Sequence, residues 1–125
     1  MTDEAGSKPK RILNRSTTKT PMREQEPQVR ARNFDEVPFG YTPEEAVEEA
    51  KRCLKCKKPS CVQGCPVNID IPGFIGQIAI GNFWEAMKVM KTTNTLPAIC
   101  GRVCPQESQC EGSCVLAKKM EPVAI

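Results

Sequence analysis

At 125 residues the chain fits one small domain whose hydrophobic core must be modest. A formal charge of +3 lacks the basic signature of a nucleic-acid binder, and the complete absence of His removes mixed Cys/His zinc sites, Rieske-type ligation and His-based acid–base catalysis. Eight cysteines, all between Cys53 and Cys114, are left to staple a small fold, by disulfides or by metal.

The start, Met1-Thr2-Asp3-Glu4, is polar and acidic where a secretory leader would be basic and then apolar, and no apolar run reaches membrane-spanning length. The expectation is therefore a cytoplasmic chain with neither membrane nor nucleic acid as partner. Thiols stay reduced in that compartment, so a dense cysteine set points to metal.

Residues 1–33 are polar, mixed in charge and interrupted by Pro9, Pro21 and Pro27, with no apolar period. They read as an extended or disordered arm, basic in its first half through Lys8, Lys10, Arg11, Arg15 and Lys19. Two roles suit such an arm: a solvated tail, or a strap on a partner anchored by Ile12, Leu13 and Met22.

Residues 34–125 should form the folded domain. Thr42-Pro43-Glu44-Glu45 predicts a helix start, with Thr42 capping, Pro43 at the first helical position and Glu45 closing a capping box. Ala46, Val47, Ala50 and Leu54 continue at helical spacing, which would bring Cys53 and Cys56 to the helix C-terminus. Residues 57–70 should be loop. A second helix is expected near Pro72, capped by Asp70, with Ile71, Phe74, Ile75, Ile78 and Ala79 on one face. Gly81-Asn82 should end it and open a third, striped by Phe83, Ala86, Met87 and Met90. Phe74, Phe83 and Trp84 read as core residues. Helical turns rather than strands should carry Cys100 to Cys114. Nothing alternates with a period of two, so the fold class is all-α, with metal groups taking the place of much of the core.

The cysteines fall into two runs, Cys53-x2-Cys56-x4-Cys61-x3-Cys65-Pro66 and Cys100-x3-Cys104-Pro105-x4-Cys110-x3-Cys114. Each supplies four thiolates, enough in total for two four-iron clusters, and a run ending in Cys-Pro resembles bacterial ferredoxins. Gly64, Gly101 and Gly112 would let the backbone approach closely, and amide N–H groups aimed at sulfur would tune the potential. Zinc is the rival, since two four-thiolate sites would also use all eight cysteines; its ribbons favour C-x2-C knuckles across a long spacer, whereas these are compact runs of four. Lys51, Arg52, Lys55, Lys57 and Lys58 around the first run form either a solvated face or a charge complement to an anionic cluster or acidic partner.

Arg52-Cys53-Leu54-Lys55-Cys56, Pro59-Ser60-Cys61, Gly64-Cys65-Pro66-Val67-Asn68-Ile69-Asp70-Ile71-Pro72, Ile99-Cys100-Gly101-Arg102-Val103-Cys104-Pro105-Gln106 and Cys110-Glu111-Gly112-Ser113-Cys114 together resemble a known family. It is the N-terminal iron–sulfur domain, of α-helical ferredoxin type, shared by the small subunit of NADPH-dependent glutamate synthase, dihydropyrimidine dehydrogenase and related electron-bifurcating flavoenzymes. The resemblance covers roughly Asn33 to Ile125. It implies interleaved ligands: Cys53, Cys56, Cys61 and Cys114 for one [4Fe-4S] cluster, and Cys65, Cys104 and Cys110 for three corners of a second. The fourth corner falls to Cys100 or to a Gln or Glu beyond Ile125. It further implies FAD and NADPH bound by C-terminal domains of a longer chain, and a partner subunit carrying a flavin that the clusters supply with single electrons. The domain itself would hold no catalytic acid, base or nucleophile. No G-x-G-x-x-G occurs, and the apolar Val123-Ala124-Ile125 ending reads as a chain that continues.

Overall fold

A computed structural model describes residues 11–125. The basic positions Lys8 and Lys10 therefore lie outside the described residues. In chain order the elements are β1 (Arg23–Glu24), α1 (Pro27–Arg30), β2 (Pro38–Gly40), α2 (Pro43–Ala50), α3 (Ser60–Gln63), α4 (Ile71–Ile78), α5 (Phe83–Lys91) and α6 (Pro97–Val103), followed by 3-10 turns at Gln106–Ser108 and Val115–Lys118.

The fold is mostly helical, and the all-α expectation needs one correction. β1 and β2 pair antiparallel, with Arg23 opposite Gly40 and Glu24 opposite Pro38. Strands of two and three residues are too short to show a period of two, so no alternation announced them. Gln25 secures the hairpin from inside. Its N–H donates to Val37 O at 2.9 Å, and its Nε2 donates to Glu36 O at 3.0 Å.

α2 begins as expected. Thr42 Oγ1 accepts from the Glu45 N–H at 3.2 Å while Glu45 Oε2 accepts from the Thr42 N–H at 2.8 Å, satisfying two donors that a helix start leaves unpaired. The helix stops at Ala50, short of the cysteines it was expected to carry. Cys53 follows through a short turn closed by Cys53 N–H to Ala50 O, and Lys55 adopts a left-handed φ of 49°. The chain thus leaves the helical path before Leu54, which lies exposed and off the stripe predicted for it.

α4 and α5 form the expected hairpin, the most extensive helix pair among the described residues. Asp70 Oδ1 accepts from the Gly73 N–H at 3.0 Å, and Gly81 takes φ 77°, a conformation that costs an L-residue more than glycine. Asn82 occupies the N-cap position of α5 without a side-chain hydrogen bond. Ile71, Phe74, Ile75 and Ala86 are buried, together with Ala50, Cys53 and Val123. Phe83 and Trp84 are not core residues: they are 41 % and 64 % exposed. Only a narrow strip of the short α5 faces α4, and Ala86 fills it, leaving the aromatics of its first turn at the surface. Trp84 lies beneath Lys88, whose Nζ is 5.8 Å from the ring centroid.

Residues 11–22 form no regular element, yet they are bonded to their own domain. The Asn14 N–H donates to Lys51 O at 3.2 Å and Thr17 O accepts from the Glu121 N–H at 3.1 Å. At the centre of this strap is a buried ion pair, Glu49 with Arg52, 2 % and 1 % exposed. Arg52 Nη1 reaches Glu49 Oε1 at 2.7 Å and Pro122 O at 3.0 Å, Nη2 reaches Glu121 O at 2.5 Å, and Nε reaches Ser16 O at 3.1 Å. Glu49 accepts in turn from the Thr20 and Ala124 N–H groups. One side-chain pair therefore joins the N-terminal segment, α2 and the C-terminal segment. Val123 is apolar because it packs in the core, and the Ile125 N–H donates to Glu111 Oε1 at 3.0 Å.

Candidate metal centres

The eight cysteines are all free thiols. Cys53, Cys56, Cys61 and Cys114 line one cavity, walled by Ile71, Ile75, Leu116 and Val123. Cys65, Cys100, Cys104 and Cys110 line a second, roomier one, walled by Ile69, Phe74, Met90 and Pro97. Ile71 and Ile125 contribute to both. The last cysteine of each run thus faces the cavity of the other, the interleaving that the resemblance implies. Cys100 shares the second cavity with the three residues expected there.

Local structure explains how two runs far apart in sequence meet. Ser60, at the start of α3, donates its hydroxyl to Ser113 O at 2.5 Å, which sets Cys61 beside Cys114. Gly64 sits against the second run: a methyl group there would lie 2.6 Å from Gln109 O. At Gly112 it would lie 2.4 Å from Glu107 O. Gly64 and Gly112 thus meet other backbone closely, whereas Gly101 meets no protein atom and lines the second cavity. Lys55 folds over α4 with its ammonium against Gly76, and its N–H donates to Cys53 Sγ at 3.5 Å.

Burial sets the electrostatics. It pushes the Cys61 thiol up to about 11, helped by repulsion from Cys114 and opposed by the Val62 N–H. Cys53 and Cys110 are raised chiefly by burial, which outweighs the N–H groups of Lys55 and Glu111 respectively. Cys104 is raised by burial and then by Cys100 and Cys65. Bare thiolates are thus disfavoured at Cys53, Cys61, Cys104 and Cys110, and a cationic centre must displace the protons and offset the charge there. The donor set fits such a centre: neither cavity is lined by an Asp, Glu or His, and each gathers four soft sulfurs, beside the Ser60 hydroxyl in the first and the Asn94, Gln106 and Gln109 amides in the second. The sulfurs are spread around the walls, and among the described residues no three Cys, Asp or Glu side chains close on a single ion.

The basic cluster around the first run divides. Arg52 belongs to neither expected reading, because the Glu49 carboxylate draws it inside. Lys51 pairs with Glu48 at 2.6 Å, while Lys55, Lys57 and Lys58 are exposed. Sequence reasoning also passed over Asn94, which is buried and lines the second cavity. The only signal for it was a polar residue directly after the α5 stripe, where a loop would equally place one.

Residues 30–125 match the family described as dihydropyrimidine dehydrogenase domain II, 4Fe-4S cluster. The chain is 44 % identical over 88 residues to the glutamate synthase [NADPH] small chain of Halomonas elongata, covering 70 % of this chain and 19 % of that protein. With the corresponding Escherichia coli small chain it shares 40 % over 97 residues, covering 78 % and 21 %. With the NAD-dependent dihydropyrimidine dehydrogenase subunit PreT of Salmonella typhimurium it shares 40 % over 92 residues, covering 74 % and 22 %. The chain therefore spans about a fifth of the length of these relatives.

Proposed function

The chain belongs to the dihydropyrimidine dehydrogenase domain II, 4Fe-4S cluster family, and from that premise we propose that it is the electron-relay domain of an NADPH-dependent glutamate synthase small subunit, holding two [4Fe-4S] clusters. The observation that carries the proposal is the sorting of eight free thiols into two sets of four, each in its own apolar cavity and each drawing on both runs. Interleaving ties both centres to one folded unit and brings them to a shared wall.

Cys53, Cys56, Cys61 and Cys114 would hold one cluster. Cys65, Cys104 and Cys110 would hold three corners of the other, with the fourth from Cys100 or from a Gln or Glu further along the full protein. When bound, such clusters store and release single electrons, which matches a two-electron nicotinamide donor to one-electron transfer over distance. The residues around them do the rest. Ile71, Ile75, Phe74 and Met90 exclude water from the sulfurs, the Lys55 N–H is directed at Cys53 Sγ, and Ser60 with Gly64 holds the two runs in register. FAD and NADPH would bind in the remainder of the protein, and the redox partner would be a flavin-containing large subunit in the cytoplasm. Among the described residues no helix is long and apolar enough to cross a membrane.

A second reading has the same support at the level of this domain. The dihydropyrimidine dehydrogenase subunit PreT is as similar to the chain as the Escherichia coli glutamate synthase relative. Both readings assign this domain the same chemistry and differ in the final acceptor. Iron and acid-labile sulfide, measured on protein reconstituted without oxygen, test what they share. About eight of each per chain, with visible absorption that bleaches on reduction, is expected; about two zincs and no colour would make the domain a structural zinc module. Full-length protein assembled with its flavin-containing partner subunit, reduced with NADPH or NADH and offered 2-oxoglutarate with glutamine, or uracil, separates the two acceptors.

A further inference from the structure

We propose that Asn94 donates a hydrogen bond from Nδ2 to sulfur of the group held in the second cysteine cavity, and so raises the reduction potential of that centre. The inference rests on the iron–sulfur reading above. Asn94 follows α5, is 7 % exposed and lines the cavity formed with Cys65, Cys100, Cys104 and Cys110. Its Oδ1 is engaged. It accepts from the Leu96 N–H at 2.9 Å and lies 3.8 Å from Cys100 Sγ, within reach of the thiol hydrogen.

These contacts fix the orientation of the amide. Were it flipped, the NH2 group would meet the Leu96 N–H donor to donor. Nδ2, with two hydrogens to give, must then occupy the other position, and among the described residues it is the one buried side-chain nitrogen or oxygen without a partner. Buried polar groups are nearly always satisfied, so an orphan donor on a cavity wall points to an acceptor that arrives with the cavity's occupant. The Gln106 and Gln109 side chains on the same wall leave Nδ2 unpaired, so the acceptors that remain are the sulfurs gathered here, against walls supplied by Phe74, Met90 and Pro97.

The consequence is redox-specific. No Lys or Arg lines this cavity, so an N–H dipole is the local means of stabilising added negative charge. In a low-dielectric site a donor of this kind interacts more strongly with the reduced centre, which carries one more electron, than with the oxidised one. One electron is gained from an external reductant and no covalent bond forms or breaks. Asn94 acts as a positioning residue for charge and is not a ligand.

The deciding experiment starts from the unmutated chain. The full chain is produced with asparagine labelled by 15N at the side-chain amide, reconstituted without oxygen and reduced with dithionite, and pulsed EPR is recorded on each centre. A 15N coupling on the second centre is expected, and it should vanish in Asn94→Asp, which keeps an oxygen for the Leu96 N–H and loses the donor. Asn94→Ala should lower the reduced-to-oxidised ratio of that centre at a fixed poise about tenfold, equivalent to about 59 mV for a one-electron couple. The first centre should be unchanged. Two assembled centres with no 15N coupling in the unmutated chain would overturn the proposal alone, leaving Asn94 a turn residue. A coupling that survives in Asn94→Asp would overturn it equally, by assigning the donor to another asparagine. A chain that assembles no iron–sulfur centre would overturn the underlying reading and this proposal with it.

Discussion

Replacing Arg52 by methionine would strand the Glu49 carboxylate in the interior. The methionine fills much of the space of the arginine stem, so the perturbation is mainly one of charge and hydrogen bonding. Removing one partner of a buried ion pair typically costs about 3–5 kcal/mol, because the remaining charge stays desolvated. Glu49 would keep the Thr20 and Ala124 N–H groups, at 2.7 and 3.0 Å, which holds the cost toward about 3 kcal/mol. In the other direction, the carbonyls of Ser16, Glu121 and Pro122 would each lose a guanidinium donor. Against a total stability of about 5–15 kcal/mol for a small domain, the change is large.

Because loss of a cluster makes global unfolding irreversible, amide hydrogen exchange on the anaerobic, reconstituted protein is the better assay. The Thr20 and Ala124 amides report the pair directly. An opening cost reduced by about 3 kcal/mol should accelerate their exchange roughly a hundredfold. The Thr42–Glu45 capping box, which shares no partner with the pair, should be nearly unaffected. Replacing both members, Glu49→Leu with Arg52→Met, should recover much of the loss, since no unpaired charge remains. An acceleration below tenfold in Arg52→Met would refute the view that this pair clamps the two terminal segments together.

The same network gives the stability two pH limits. Burial alone would raise the Glu49 pKa, but the N–H groups of Ala124 and Thr20 and the Arg52 guanidinium outweigh it and hold the carboxyl below its ordinary 4.5. Its contribution is therefore fully present above that value and lost as pH falls through the depressed one, which an acid titration of Thr20 exchange should reveal. Tyr41, the single tyrosine, donates to Thr20 O at 2.6 Å, and burial followed by the charges of Glu49 and Glu111 pushes its phenol from 10.0 up to about 12. Stability should be complete below pH 10 and fall between there and about 12, with tyrosinate absorption appearing late; ionisation at the ordinary value would contradict the burial. Cys104→Ser should remove about four irons per chain, whereas Cys100→Ser should keep them, because the Cys100 thiol is within hydrogen-bonding reach of Asn94 Oδ1; loss of four irons in Cys100→Ser would make Cys100 the fourth ligand. Gly64→Ala should destabilise the reconstituted domain by about 1–3 kcal/mol through overlap with Gln109 O and Ser113, read as faster amide exchange in the segments that meet there.

What could be read from sequence was whatever depends on a few consecutive residues. The Thr42 cap, the Asp70 cap, the Gly81 turn and the α4 stripe are all set within one helical turn of the chain, and each appears where the sequence places it. Misreadings arose where a local pattern met a tertiary fact. Leu54 continued the α2 period, but the chain had already turned away at Ala50. Phe83 and Trp84 looked like core because they open an apolar helical stripe, yet α5 turns Ala86, Val89 and Met90 to the core and leaves its first turn outside. Arg52 looked like one more surface cation until Glu49, one helical turn earlier, drew it inside together with three carbonyls from the chain's two ends.

The candidate site shows the same division. Counting cysteines supplies enough ligands for two clusters, and nothing in the count says which four share a cavity. The spacing within a run favours grouping by run, because loop closure over three to five residues costs far less entropy than closure over the fifty that separate Cys61 from Cys114. The structure groups them across runs instead, since Ser60 donates to Ser113 O and Gly64 admits the Gln109 carbonyl. That arrangement requires the long loop to be closed by the protein before either cysteine cavity is complete. The α4–α5 hairpin fills that loop and closes it by burying Ile71, Phe74 and Ile75 against Val123. The Glu49–Arg52 pair then fixes the segment that carries Val123. The electrostatic clamp and the sulfur cavities are in this way parts of one packing problem, which is why a substitution at Arg52, which lines neither cavity but adjoins Cys53 and holds Pro122 beside Val123, should be felt at Cys53 and Cys114 as well as at the strap.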